Sequence, residues 1–275
     1  MGGIQRIIDN GAGGIVTKSI GLESRKGYLN PTTIELEHGI LNAMGLPNPG
    51  IQAFTHELQN LLPASVPIIG SIYGKNTQEF QNLAQQMQAT GVHALELNLS
   101  CPHAKHVGLE TGCDPVLIQR IVASVKSVAG IPVFVKLSPN VTDLPQLVQA
   151  AEQGGADGIV LINTVKAMAI DIETQRPILS NKHGGYSGKA IKPIGIRCVY
   201  DAYEATDLPI IGVGGITTGL DALEYIQAGA SAIQIGSAVY YRGVEVFSHI
   251  CKEINEWLQN HHQHSLKNLV GVAHE

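Results

Sequence analysis

Residues 131–163 read IPVFVKLSPNVTDLPQLVQAAEQGGADGIVLIN and hold one complete strand–helix–strand unit. IPVFVKLS (131–138) and GGADGIVLIN (154–163) are runs of Val, Ile and Leu with little alternation, as in a parallel strand buried on both faces. Between them DLPQLVQAAEQGG has helical apolar spacing, opens on Asp and closes on Gly, as helix caps require. Two parallel neighbours joined by a helix imply a right-handed crossover.

The unit recurs outward in both directions. GAGGIVTKS (11–19), TGVHALELN (90–98) and AGASAIQIGS (228–237) repeat the small-residue turn and apolar run, while VPIIGSI (66–72) and LPIIGVGG (208–215) repeat the proline-led run. TQEFQNLAQQMQAT and DPVLIQRIVASVKSVAG supply further helices. Strands are expected near 13–18, 67–72, 93–98, 132–137, 157–162, 209–213 and 232–236, seven where a closed (β/α)8 barrel needs eight. No GxGxxG follows the first run, which weighs against a doubly wound dinucleotide-binding sheet. IQRIIDNGAG ahead of the first strand reads as a helix, so the eighth strand is expected upstream of Met1, within about 25–30 residues of one further βα unit. The expected fold is an α/β TIM barrel, one domain over residues 1–275, lacking its first β-strand. The long connections 19–65 and 164–207 carry too many unusual residues to be spacers.

Composition excludes several classes. Of 275 residues 44% are apolar, 15% charged and 5% aromatic, with 31 glycines, which suits buried strands and tight βα turns. A net charge of −5 with no basic run argues against a nucleic-acid partner. No apolar stretch reaches the roughly 18–20 residues that span a bilayer, and MGGIQR has no hydrophobic signal core. Cys101, Cys113, Cys198 and Cys251 form no CxxC pair and read as reduced thiols of a cytoplasmic protein.

In such a barrel the chemistry sits where strands end. Those positions here are Lys18, Asn98-Leu-Ser-Cys101, Lys136, Asn163-Thr164, Gly214-Gly215 and Gly236-Ser237. A lysine ending an apolar strand needs a counter-ion or an anionic ligand, and two lysines with two asparagines at one mouth favour the ligand. GVGG (212–215) and IGS (235–237) fall where barrels often bind phosphate through backbone N–H groups and a short helix N-terminus. Cys101 follows a strand end in a polar loop, suited to a base or nucleophile if its pKa is lowered. A zinc site from Cys101, His103, His106 and Cys113 has none of the usual spacings, so no metal is expected. NHHQH (260–264) is given no function.

With ELNLSCP (96–102), LNAMGLPNPG (41–50), KLSPNVTD (136–143), INT (162–164), GGYSGKAIKP (184–193) and IIGVGGI (210–216), the chain resembles the dihydroorotate dehydrogenase family. The resemblance runs in order from about residue 11 to 257, and IDIETQRPIL (170–179) is similar to the catalytic subunit of the NAD-linked branch. It implies an FMN-containing barrel that oxidises dihydroorotate to orotate in pyrimidine biosynthesis. The phosphate would rest on Gly214, Gly215, Gly236 and Ser237, and the ring would contact Thr17, Lys18, Asn98, Lys136, Ile162 and Gly188. Dihydroorotate would be held by Lys18, Asn42, Met44, Gly45, Leu46, Asn98, His103, Asn163 and Thr164. Cys101 matches the family's base for the C5 proton, with hydride passing from C6 to flavin N5. Residues 101–112 would form the closing loop, and Lys136 would stabilise the reduced, anionic flavin.

The sequence departs from the family pattern in three places. His103 replaces a common asparagine, Lys189 replaces a common proline, and the opening strand with its Ala-Ser-Gly flavin loop has no counterpart. NLSCPH also occurs in dihydropyrimidine dehydrogenase, so reduction of uracil or thymine stays open, as does a barrel that has lost its flavin. No cysteine cluster could hold an iron–sulfur centre. Electrons are therefore expected to leave to fumarate, a quinone or a separate subunit carrying FAD and an iron–sulfur cluster, in a homodimer or heterotetramer.

Overall fold

The computed structural model describes residues 2–59, 61–99 and 111–274. The chain opens with helix α1 (Gly2–Asp9), strand β1 (Ile15–Val16) and a hairpin of β2 (Thr33–Leu36) and β3 (Gly39–Asn42). Then α2 (Ile51–Gln59), β4 (Ile68–Ile72), α3 (Thr77–Gln88), β5 (Ala94–Asn98), α4 (Pro115–Lys126), β6 (Val133–Lys136), α5 (Leu144–Gln153) and β7 (Gly158–Leu161) alternate. An excursion follows through β8 (Val165–Ala167), β9 (Ile170–Asp171), β10 (Arg176–Pro177) and β11 (Gly184–Ser187). Alternation resumes with α6 (Lys192–Tyr203), β12 (Ile210–Val213), α7 (Gly219–Gln227), β13 (Ala230–Gln234), α8 (Ala238–Arg242) and α9 (Val246–Asn260).

Seven strands form one parallel sheet in the order β1-β4-β5-β6-β7-β12-β13, the expected seven in chain order. Among the described residues β1 and β13 are its two edges. β1 pairs over only two residues, and β13 starts two residues earlier than the pattern 232–236 suggests. Ala230 and Ser231, expected in the turn, belong to the strand: Ala230 pairs with Ile210 and Ala232 with Ile211, leaving Ser231 at a register shift. The helices begin where the sequence places caps: Asn76, Asp114 and Asp143 each accept backbone N–H groups of the first turn.

The sheet is rolled. β5 and β13 stand four steps apart in the strand order, about 19 Å in a flat sheet. Yet the side chains of Glu96 on β5 and Gln234 on β13 meet at 2.9 Å. Leu95, Leu97, Val133 and Val135 point the other way, into a core with Phe80, Leu83, Ile118, Val122, Leu147 and Val148 from the surrounding helices. Each such side chain contributes about 1.5–3 kcal/mol by leaving water.

The long connections fold together. β2-β3-β11-β8 form a four-stranded antiparallel sheet with a small core of Leu41, Ala43 and Leu179. Asn42 pairs with Gly185 and Leu41 with Tyr186, so the first connection is bonded directly to the second.

At the start of α7, Thr218 and Asp221 form a capping box, and Asp221 also accepts from the backbone of Thr217 and from Lys192 Nζ at 2.8 Å. Burial works to raise the Asp221 pKa, but Lys192 and the bonds from Thr217 and Thr218 outweigh it and hold it at about 2. A depressed carboxylate stabilises the fold above its unfolded pKa and loses that contribution as pH falls through its folded pKa. Asp221→Asn is expected to cost about 1–2 kcal/mol at pH 7 in urea denaturation. The gap from wild type should narrow as pH falls from 4 to about 2. A constant gap over that range would show that the charge of Asp221 contributes nothing.

Candidate active site at the barrel mouth

Parallel strands bring all their carboxyl ends to one edge of the sheet. Lys18 follows β1, Asn98 and Lys136 end β5 and β6, and Asn163-Thr164 follow β7. Gly214-Gly215 and Gly236-Ser237 follow β12 and β13. Thr17 is buried, and its hydroxyl accepts from Ser71 N at 2.9 Å.

The inward side chains form a continuous polar seam. Thr164 N donates to Asn163 Oδ1 (2.8 Å), Asn163 Nδ2 to Asn98 Oδ1 (3.4 Å) and Asn98 Nδ2 to Ser19 Oγ (3.0 Å). Ser19 and Ser71 share a hydroxyl bond of 2.9 Å, and Ser71 Oγ donates to Glu96 Oε1 at 3.5 Å. Lys136 Nζ lies 3.6 Å from Glu96 and 3.1 Å from Gln234 Oε1. Lys136 thus has the carboxylate that a buried lysine demands. Lys18 does not. Although Lys18 is exposed, desolvation by the protein around its ammonium lowers its pKa, and among the described residues it makes no ion pair.

The glycine side of the mouth is set by Tyr225. This fully buried residue on α7 donates its hydroxyl to Gly214 O at 2.7 Å. Gly212 and Gly195 leave room for the ring: a Cβ on Gly212 would lie 2.5 Å from it, and one on Gly195 would collide with the hydroxyl. Gly214 and Gly215 take φ of +136° and +70°, where a side chain would be strained, and a Cβ on Gly215 would stand 2.8 Å from Gly188 O. Gly188 is therefore packed against the turn that follows β12. The Gly214 backbone faces Ile162, whose N–H donates to Val213 O at 2.7 Å. Gly236 opens onto free space, with Ser237 beginning α8.

The antiparallel sheet stands beside this mouth. Asn42 Nδ2 donates to Gly185 O at 3.3 Å, and Gly185 is packed on the Thr164 side chain. Met44, Gly45 and Leu46 follow β3 in a strained turn in which Leu46 has a φ of +55°. Buried Asn48 holds that turn, donating to Leu46 O and the Tyr73 hydroxyl, both at 2.9 Å, and accepting from Gly21 N and Gly50 N.

The structure brings Asn98, Asn163 and Thr164 together, with Asn42 beside them across Gly185, and joins Lys136 to Asn98 through Glu96, Ser71 and Ser19. Ile162, Gly188, Gly214 and Gly215 form a second group, while Lys18 and Gly236-Ser237 share only the strand-end edge. Met44 to Leu46 follow Asn42 closely in the chain, and Asn48 ties their turn to Gly21, Gly50 and Tyr73. Cys101 and His103, with most of the 101–112 loop, lie outside the described residues. Sequence reading missed Ser71, Glu96 and Gln234 because they sit within apolar runs rather than at strand ends. A polar residue at one depth in three such runs was the available signal. It missed Asn48 and Tyr225, for which no local pattern exists.

Tyr225→Phe removes the side-chain bond to Gly214 O and is expected to cost about 1–2 kcal/mol by urea denaturation, with the m-value unchanged. An unchanged midpoint would mean that the hydroxyl does not anchor the turn.

Comparison with known proteins identifies this arrangement. The family model for dihydroorotate dehydrogenase matches residues 2–258. The chain is 52% identical to the Methanocaldococcus jannaschii dihydroorotate dehydrogenase B (NAD(+)) catalytic subunit, over 99% of this chain and 90% of that protein. It is 53% identical to the Pyrococcus furiosus protein of the same name, over 98% of this chain and 89% of that one. A crystal structure of DHODH from Eimeria tenella in complex with ferulenol superposes with a TM-score of 0.83 at 24% identity, covering 98% of this chain and 81% of that one. That likeness extends the rolled parallel sheet to an α/β barrel. With a family model covering nearly the whole chain and relatives half identical to it, the chain belongs to the dihydroorotate dehydrogenase family.

Proposed function

We propose that this protein is the catalytic subunit of a dihydroorotate dehydrogenase that oxidises dihydroorotate to orotate in pyrimidine biosynthesis, with FMN as cofactor. One observation carries the reading: Lys18, a desolvated cation without an ion pair among the described residues, stands at the same mouth as the Asn98–Asn163–Thr164 row. An anionic planar ring with several carbonyl and N–H groups matches that set. A carboxylate beside Lys18 offsets the desolvation that lowers its pKa. Uracil carries no such group, and the half-identical relatives carry the dihydroorotate name.

Membership of this family implies flavin use. The residues fit a flavin mononucleotide: the Gly214-Gly215 turn bears no side chain, the backbone at Gly236 is uncovered, and Lys136 is bonded to Gln234, two residues before Gly236. Gly214, Gly215, Gly236 and Ser237 would hold the phosphate, and Thr17, Lys18, Asn98, Lys136, Ile162 and Gly188 the ring. When bound, FMN supplies the acceptor for the hydride. Lys18, Asn42, Met44, Gly45, Leu46, Asn98, His103, Asn163 and Thr164 orient dihydroorotate. Asn98 and Asn163 are each locked by neighbours, so the amide donors are fixed before substrate arrives.

Cys101 takes the C5 proton as thiolate, on the sequence match alone. The two electrons taken from dihydroorotate would then leave to a separate subunit carrying FAD and an iron–sulfur cluster, a partner consistent with the name "catalytic subunit" of the relatives. No helix among the described residues is long and apolar enough to cross a membrane. A cytoplasmic setting, one FMN-binding domain over 1–275, and a homodimer or heterotetramer complete the proposal.

Purified protein should show a flavin band near about 450 nm that dihydroorotate bleaches and dihydrouracil does not, the substrate's carboxylate being what Lys18 answers. Colourless protein, or equal bleaching by both, overturns the reading. Cys101→Ala should keep the bound flavin and slow its reduction about 10²–10⁴-fold, as loss of one general base does. In wild type, flavin reduction should accelerate as pH rises toward the thiol's pKa, near about 8.5 for free cysteine. A flat profile from pH 6 to about 9 removes the thiol from this role.

A further inference from the structure

Glu96 is a carboxylate only 2% exposed, inside the barrel and below the mouth. Three groups surround it. Lys136 Nζ lies 3.6 Å from Oε1, Ser71 Oγ donates to the same oxygen at 3.5 Å, and Gln234 Nε2 donates to Oε2 at 2.9 Å. Gln234 then accepts from Lys136 Nζ at 3.1 Å through its own Oε1. The carboxylate, the amide and the ammonium form a closed ring drawn from β5, β13 and β6. Its geometry fixes the amide's orientation, because only one assignment of its oxygen and nitrogen satisfies both ions.

A buried carboxylate has to be paired, and packing alone gives no reason for one at this depth, since β5 and β6 turn Leu95, Leu97, Val133 and Val135 outward into the core. Ser71 extends the ring through Ser19 to Asn98 and Asn163. Glu96 is thus the point where the cationic end of the mouth and its amide end are joined.

We infer that Glu96 is a positioning residue that acts through Lys136. As counter-ion, and with Gln234 as the bridge, it holds the ammonium in place and sets how much positive charge the mouth presents to the cofactor. This rests on the flavin reading above. Reduction adds negative charge to a flavin, so the midpoint potential of the bound cofactor reads the field that the ring leaves uncancelled.

The experiment is dye-equilibrated reduction of the flavin-loaded protein in wild type, Glu96→Gln, Lys136→Met and the double variant. Glu96→Gln keeps the volume and removes the negative charge, so the potential should rise. Lys136→Met should lower it. On the Lys136→Met background Glu96 has lost the cation it acts through, so adding Glu96→Gln should then change nothing. An unchanged potential in Glu96→Gln, with only thermal stability reduced, overturns the inference in favour of a structural role. An equal shift on both backgrounds overturns it in favour of a direct effect.

Should Glu96→Gln fail to fold, Gln234→Leu removes the bridge and leaves the ion pair. Lys136 is then drawn to Glu96 and the potential should fall, and a wild-type potential there also overturns the inference. Failure of the flavin reading looks different: wild type itself would be colourless, or its flavin would not be bleached by dihydroorotate.

Discussion

A charged group in the middle of an apolar strand is the constraint that shapes this protein's interior. Glu96 lies between Leu95 and Leu97, both fully buried against the helices, and it can be accommodated only if partners arrive from other strands. They come from β4, β6 and β13, the last of which is remote from β5 in the sheet order. Satisfying one carboxylate therefore requires the sheet to roll until strands four steps apart face each other. Apolar outward faces favour burial under helices in any open or closed sheet. The polar seam inside is what ties this sheet to a barrel curvature.

The same economy of position governs the rim. Tyr225 fills the space that Gly195 and Gly212 leave and holds the Gly214 carbonyl, so a turn rich in glycine is fixed from beneath. From the side, Gly188 and Lys192 press on Gly215, and Lys192 is itself tied to the cap of α7 by Asp221. Asn48 does the equivalent work for the Met44–Leu46 turn, with four backbone or hydroxyl partners from three segments. Flexible sequence is thus held rigid by a few buried polar side chains, which is what a site built on loops requires.

The parallel part of the fold was legible because its evidence is local. A run of Val and Ile, a capping Asp and a closing Gly lie within one unit, and Asp114 and Asp143 cap the helices that their positions announce. The antiparallel sheet was not legible. β11 is GGYS, two glycines with little strand preference, and its pairing with β3 joins residues 143 positions apart. Strand ends told where Lys18, Asn98, Lys136 and Asn163 would gather. They gave no hint of Glu96, Ser71 and Gln234, one layer deeper, since a search confined to ends looks past polar residues inside apolar runs.

That deeper layer separates two lysines which the sequence presents as equivalents. Both end apolar strands, and both raise the same question of what cancels their charge. Lys136 is answered from within: its side chain is 17% exposed, and Glu96 and Gln234 occupy it. Lys18 is left unanswered by the described residues, and desolvation lowers its pKa. A cation already neutralised offers a ligand a fixed dipole and a tuned field. One that is desolvated and uncompensated offers binding energy to an arriving anion. On the proposed reading the first suits a resident cofactor, whose charge changes while it stays bound. The second suits a substrate that enters and leaves with its carboxylate. The division of labour follows from the presence of a carboxylate behind one lysine and its absence among the described neighbours of the other.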